Sequence, residues 1–118
     1  MAGTVTITEI THTSAKKITF AWLSASGAAD ATTTNAFDGK IVGLTTDPGS
    51  AAPEDNYDVA ITDADGHDVL LGAGANRDTS NTEHVVGASL SAVAGSKLTL
   101  AITNAGDAKD GVVILWVR

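Results

Sequence analysis

The sequence predicts an all-β fold, a two-sheet antiparallel β-sandwich of jelly-roll or immunoglobulin-like topology, as a single domain over residues 1–118. Apolar and polar residues alternate with a period of two in short segments, as they do where successive side chains point to opposite faces of a strand. Turns bearing Gly, Asp and Asn separate these segments, and no stretch carries an amphipathic helical period of useful length.

Thr4-Val5-Thr6-Ile7-Thr8 opens the series. Its phase slips at Glu9, because Ile10 continues the apolar positions one residue late, and this predicts a β-bulge or an edge where the strand changes partner. Lys17 to Trp22 sets Ile18, Phe20 and Trp22 on one face, and Ser24 to Ala31, small and containing Gly27, reads as a loop. Thr32 to Phe37 and Lys40 to Thr45 flank Asp38-Gly39, a dipeptide suited to the positive φ of a tight turn, so a hairpin is expected there. Both prolines, Pro48 and Pro53, fall in a connecting stretch, since proline donates nothing to a sheet ladder. Tyr57, Val59 and Ile61 alternate next, and Asp63-Ala64-Asp65-Gly66 supplies a second turn leading into Asp68-Val69-Leu70-Leu71. Gly72 to Asn81 is a long loop. Glu83 to Val86 is a short strand, while Ser89 to Val93 is open between a helical turn and irregular chain. Leu98, Leu100 and Ile102 alternate again, and Val112 to Val117, apolar on both faces, predicts a central strand covered on both sides. The many threonines suit strands with one wet face, because β-branching fits the pleat while the hydroxyl stays solvated.

Composition narrows the function classes. With 43% hydrophobic and 18% charged residues the chain is too apolar for disorder. Seven basic against 14 acidic residues give a net charge of −7, which opposes counterion release and makes a nucleic-acid partner unexpected. Cysteine is absent, which excludes disulfides, thiolate catalysis and cysteine metal sites. The apolar runs fall well short of the roughly 20 residues of a membrane-spanning helix, so no membrane partner is expected. Nor does a basic then apolar leader pattern open the sequence, and synthesis in the cytoplasm is the expectation.

Candidate chemistry is sparse. Asp63, Asp65 and Asp68 form a weak calcium candidate, since hard cations want several carboxylate oxygens on one turn. Gly66 follows Asp65 at once and no Glu closes the loop, so the EF-hand pattern fails and a plain turn with solvated carboxylates is the preferred reading. His12, His67 and His84 lie far apart, outside any zinc-binding spacing. Ser89 lacks the second glycine of a nucleophile elbow, and Arg77 stands where a dinucleotide loop needs its third glycine. No cofactor and no catalysis are expected. Asn76-Arg77-Asp78 sets a forked donor beside a carboxylate, which suits a loop anchor within the chain, with an intersubunit pair as the second choice. Trp22 and Trp116 follow the apolar alternation and are expected in the core.

The run Lys16 to Trp22, the segments Thr46-Asp47-Pro48-Gly49 and Ala52 to Val59, and Gly74-Ala75-Asn76-Arg77-Asp78-Thr79 leading to Leu98-Thr99-Leu100 and Asn104-Ala105-Gly106 give the chain a further texture. In these runs it resembles small β-sandwich virion structural proteins of tailed bacteriophages, the capsid cement or decoration proteins. That resemblance implies a non-enzymatic protein that binds the outer surface of the capsid shell and stabilises it. It further implies the major capsid protein as partner, a homo-oligomer (dimer or trimer), and a place on the virion exterior after synthesis in the host cytoplasm. The N-terminal strand, with Thr4 and Thr6, is the first candidate for joining neighbours by β-augmentation. A tail, collar or baseplate protein is the alternative within the same particle. A carbohydrate-binding module is the alternative of another class, and it needs two or more aromatic side chains exposed together.

Overall fold

In the computed structural model, which describes residues 3–11 and 14–118, the alternating segments become nine strands. They are β1 (Thr4–Thr11), β2 (Lys16–Leu23), β3 (Ala29–Thr32), β4 (Phe37–Pro48), β5 (Asp58–Thr62), β6 (Glu83–Val86), β7 (Ala92–Ser96), β8 (Thr99–Thr103) and β9 (Asp110–Val117). One short 3-10 turn, Gly87–Ser89, joins β6 to β7. The strands form two antiparallel sheets packed as a sandwich: a large one in the order β1-β2-β9-β4-β6, with β7 on the other half of β4, and a small one in the order β3-β8-β5. From β2 onward almost every connection carries the chain to the opposite sheet, the exception being β6 to β7. That wrapping is the jelly-roll pattern; an immunoglobulin-like sandwich keeps several sequential hairpins within one sheet.

Alternation fixes what fills the space between the layers. Ile18, Phe20 and Trp22 of β2 pair in register with Leu115, Val113 and Gly111 of β9. Facing them, Val59 and Ile61 of β5 pair with Ile102 and Leu100 of β8. All the apolar members of these rows are buried.

Several local expectations change. Pro48 ends β4 opposite Gly111 and does not lie in a connection, Ala29 to Ala31 of the expected loop belong to β3, and Ala92 and Val93 belong to β7. β1 has no bulge: its register with β2 is unbroken from Thr4↔Leu23 to Thr11↔Lys16, and it is the edge of the large sheet. The phase slip instead marks Glu9 in an inward-facing place, where its carboxylate accepts the amides of Thr34 (2.9 Å) and Asn35 (3.0 Å) and the Asn35 side-chain amide (2.9 Å). Ile10 is thereby left on the outer face.

Asp38-Gly39 makes no hairpin and lies inside β4, and the preceding strand, β3, belongs to the other sheet. Gly39 takes φ +132° at a register shift, and a Cβ there would run into the Arg118 carbonyl oxygen, so the dipeptide serves a bulge and a close approach. The Asp63–Gly66 turn forms, yet Asp68 to Leu71 pairs only through the bridge Thr62↔Asp68. The Asp68 carboxylate accepts the amides of Leu70 (3.0 Å) and Gly72 (2.9 Å), curling the chain while Val69 and Leu70 enter the core. Finally, β9 is central between β2 and β4 but covered on one side only. Gly111, Val113, Leu115 and Val117 are buried, whereas Val112, Ile114 and Trp116 are half-buried on the far face, because the small sheet packs against the near face alone.

Candidate interaction surface

Strand register assembles the outer face of the large sheet from residues distant in sequence. Thr4, Thr6, Thr8 and Ile10 stand opposite Leu23, Ala21, Thr19 and Lys17. Those four stand opposite Asp110, Val112, Ile114 and Trp116 of β9. Trp116, Ile114 and Val112 meet Gly43, Thr45 and Asp47 of β4, and Gly43 and Thr45 meet Val86 and His84 of β6. The rows are mostly threonine and aliphatic.

Five large hydrophobic side chains are exposed among the described residues, and four of them, Ile10, Leu23, Val42 and Val86, gather on this face; Leu71 is the exception. Val42 is the extra residue where the β4 register shifts between Ile41 and Gly43. With Val86, His84 and Trp116 it lines a shallow depression of about 350 Å3, and a second of about 360 Å3 is lined by Thr4, Thr6, Leu23, Asp110 and Val112. Trp116 lies under Lys17, whose ammonium is 5.2 Å from the ring centroid, a cation–π distance. Gly43 admits the indole: a Cβ there would stand 3.0 Å from Trp116 Cδ1. The expectation that Trp116 is a core residue is therefore overturned, since β9 has no second layer over that face.

Trp22, Phe20, Phe37 and Tyr57 are in the core, with the Trp22 and Tyr57 rings 5.7 Å apart. Trp22 Nε1, Thr46 Oγ1 and Tyr57 Oη are buried with no partner in hydrogen-bonding geometry. Desolvation pushes the Tyr57 pKa up, against the opposing pull of the Thr46 hydroxyl and the Arg77 guanidinium. The surface thus offers a single partly exposed aromatic ring. Of the two depressions, one contains a carboxylate, Asp110, and the other an imidazole, His84, so neither sets an acid beside a base.

The acidic turn is built for backbone. Asp63 Oδ1 accepts the amides of Asp65 and His67, each at 3.0 Å, and the Asp68 carboxylate is occupied as described above. Asp65 is exposed, and among the described residues no group of three or more acidic or histidine side chains is arranged to hold a metal ion. His84 Nδ1 lies 2.8 Å from Thr45 Oγ1 and His67 Nε2 3.4 Å from Ser91 Oγ; His12 lies outside the described residues.

The loop triplet finds its partners inside the chain. Arg77 forms a backbone bridge with Tyr57, its amide donating at 2.7 Å, while its guanidinium reaches the Ala75 carbonyl (3.2 Å) and lies 3.6 Å from Glu83 Oε1. Asn76, at φ +56°, donates its amide to Asp58 (3.0 Å), whose other oxygen accepts Asn104 Nδ2 at 2.6 Å. Asp78 accepts the Ser80 amide (2.7 Å) and the Asn81 side chain (3.1 Å), and these bonds hold its carboxyl below the usual range. Sequence reasoning set Arg77 beside Asp78 and missed Glu83 and Asp58, which lie across the loop in space. The one available signal was the acidic residue opening each flanking strand.

No family model matches the chain, and neither a curated protein nor a solved structure does.

Proposed function

We propose that this is a non-enzymatic virion structural protein of a tailed bacteriophage, a cement protein that binds the outside of the capsid shell and stabilises it. The supporting observation is that four of the five exposed large hydrophobic side chains among the described residues, Ile10, Leu23, Val42 and Val86, lie on one face whose rows are mostly threonine and aliphatic. Such a face buries mostly apolar and hydroxyl area and desolvates few ions, Lys17, Asp47 and Asp110 being the charges in its rows. Five strands spaced about 4.8 Å apart, with about eight residues rising 3.3 Å each, give a face of roughly 600 Å2. That is somewhat less than the roughly 800 Å2 each partner contributes to a stable interface, so one copy binds modestly. Many copies on a repeating shell, each reinforced by its neighbours, bind strongly. The sequence resemblance supplies the partner, the major capsid protein; the acidic charge suits an exterior place, away from packaged DNA.

Particles assembled with and without the chain test this. Electron microscopy should show its density on the shell, and particles lacking it should release DNA at lower temperature. Density confined to the tail, or unchanged heat resistance, would refute it.

A further inference from the structure

The free edges of the two sheets are not alike. β3 and β6 have four residues each, and β7, with five, is broken by Gly95 at φ +54°. The open side of β5 is closed by the chain's own loop, through Val59 N to Gly74 O and Val69 N to Ile61 O, both 2.8 Å. β1 differs from all of these. It runs eight residues in unbroken register with β2, and among the described residues nothing pairs with its other side. Of the devices that guard an edge, it lacks lysine, arginine, proline and a bulge. Its one charge, Glu9, points inward, the remaining device of this kind, but its carboxylate is already satisfied by the backbone of Thr34 and Asn35 and so does not repel an added strand. A long edge of unpaired amides and carbonyls, guarded only by a carboxylate that is already satisfied, accepts a further strand.

We propose that this strand is β1 of a second copy, paired antiparallel about a two-fold axis through Ile7. On the outer face that register sets Thr6 against the partner's Thr8 and Thr4 against the partner's Ile10, so hydroxyls and aliphatic groups meet and no charge is involved. On the inner face Ile7 meets the partner's Ile7, and Glu9 stands opposite the partner's Val5, which holds the two carboxylates apart. The inner positions also need cover. Val5 and Ile7 are only half-buried, because the small sheet has three strands against the longer row of the large one. A second copy brings its own Val5 and Ile7 beside them and completes their burial. An axis normal to the sheet leaves both outer faces on the same side, so the dimer presents twice the docking area. This last consequence rests on the shell-binding reading; the pairing itself does not.

The test is sedimentation of the full chain across the micromolar range, with circular dichroism to verify folding. The native chain should sediment as a dimer. Thr6→Lys with Thr8→Lys, both at exposed positions, sets ammonium groups against one another at both cross-axis pairs and should weaken association tenfold or more. Thr6→Lys with Thr8→Glu sets opposite charges at the same pairs and should restore the dimer. A native monomer, a dimer indifferent to the double lysine variant, or failure of the lysine–glutamate variant to recover would overturn the proposal. A monomer that still binds shells would leave the outer-face reading standing, and a dimer that binds none would sink that reading alone.

Discussion

Gly111→Ala is the substitution whose cost follows most directly from geometry. Gly111 pairs with Trp22 across the β2–β9 ladder, and a Cβ there would stand 2.7 Å from Trp22 Cζ2 and 3.0 Å from the Asp47 carbonyl oxygen. Carbon–carbon contacts are comfortable at about 3.5–4.0 Å, so the indole must retreat by about 1 Å. It has nowhere to go: Trp22 is 2% exposed and packs on Tyr57, which is 0% exposed. Overpacking of this kind costs about 2 kcal/mol, and in a domain of this size about 4 °C of Tm accompanies each kcal/mol, giving a fall of about 8 °C. Gly66→Ala is the contrast, because nothing lies within 4 Å of its Cβ and only the φ of +82° resists, at about 1 kcal/mol. Scanning calorimetry of the two variants, and of Gly111→Ala on a Trp22→Phe background, completes the experiment. Phenylalanine lacks the clashing ring atoms, so the Gly111→Ala penalty should shrink there by about 1 kcal/mol or more. Strictly additive penalties would refute the claim that this glycine exists to admit Trp22.

Three further outcomes are expected. Glu9→Ala removes the acceptor of three hydrogen bonds and should cost about 1 kcal/mol by chemical denaturation, with Thr34 and Asn35 amide exchange accelerated; unchanged exchange would refute this role. Tyr57 is the chain's one tyrosine and its pKa is raised by burial. Its protonated form therefore adds stability in full below about pH 10, the unfolded value, which is lost as pH rises through the folded one. Tyr57→Phe should flatten the alkaline decline in Tm relative to the native chain, and identical slopes would contradict the burial argument. Calcium or a chelator should leave Tm unmoved, since Asp63 and Asp68 already accept backbone amides, and a calcium-dependent rise would revive the metal reading.

Legibility in the sequence followed how locally each feature is determined. β2, β5, β8 and β9 were plain because their inner rows are aliphatic or aromatic at every second residue, and burial enforces that period. β7, with the sequence Ala-Val-Ala-Gly-Ser, buries only Val93 and Ser96 and has almost no pattern to read. Asp38-Gly39 misled because a positive φ serves a bulge as well as a hairpin, and the deciding contact, with Arg118, comes from the far end of the chain. Val69 and Leu70 looked like strand residues because they are buried, yet the Asp68 carboxylate bends their backbone. The outer face was beyond sequence reading for a related reason. Ile10, Leu23, Val42 and Val86 come to share a face only through the order of strands, and the phase slip that exposes Ile10 depends on where the Thr34–Asn35 loop lies.

The central claim, that this chain acts by laying the outer face of its large sheet against a shell, is tested most directly by reconstructing a particle that carries it. Density should place Leu23, Val86 and Trp116 within contact distance of the capsid surface, with the loops of the small sheet turned to solvent. A reconstruction with that face bare, or with the chain absent from the shell, would contradict the account.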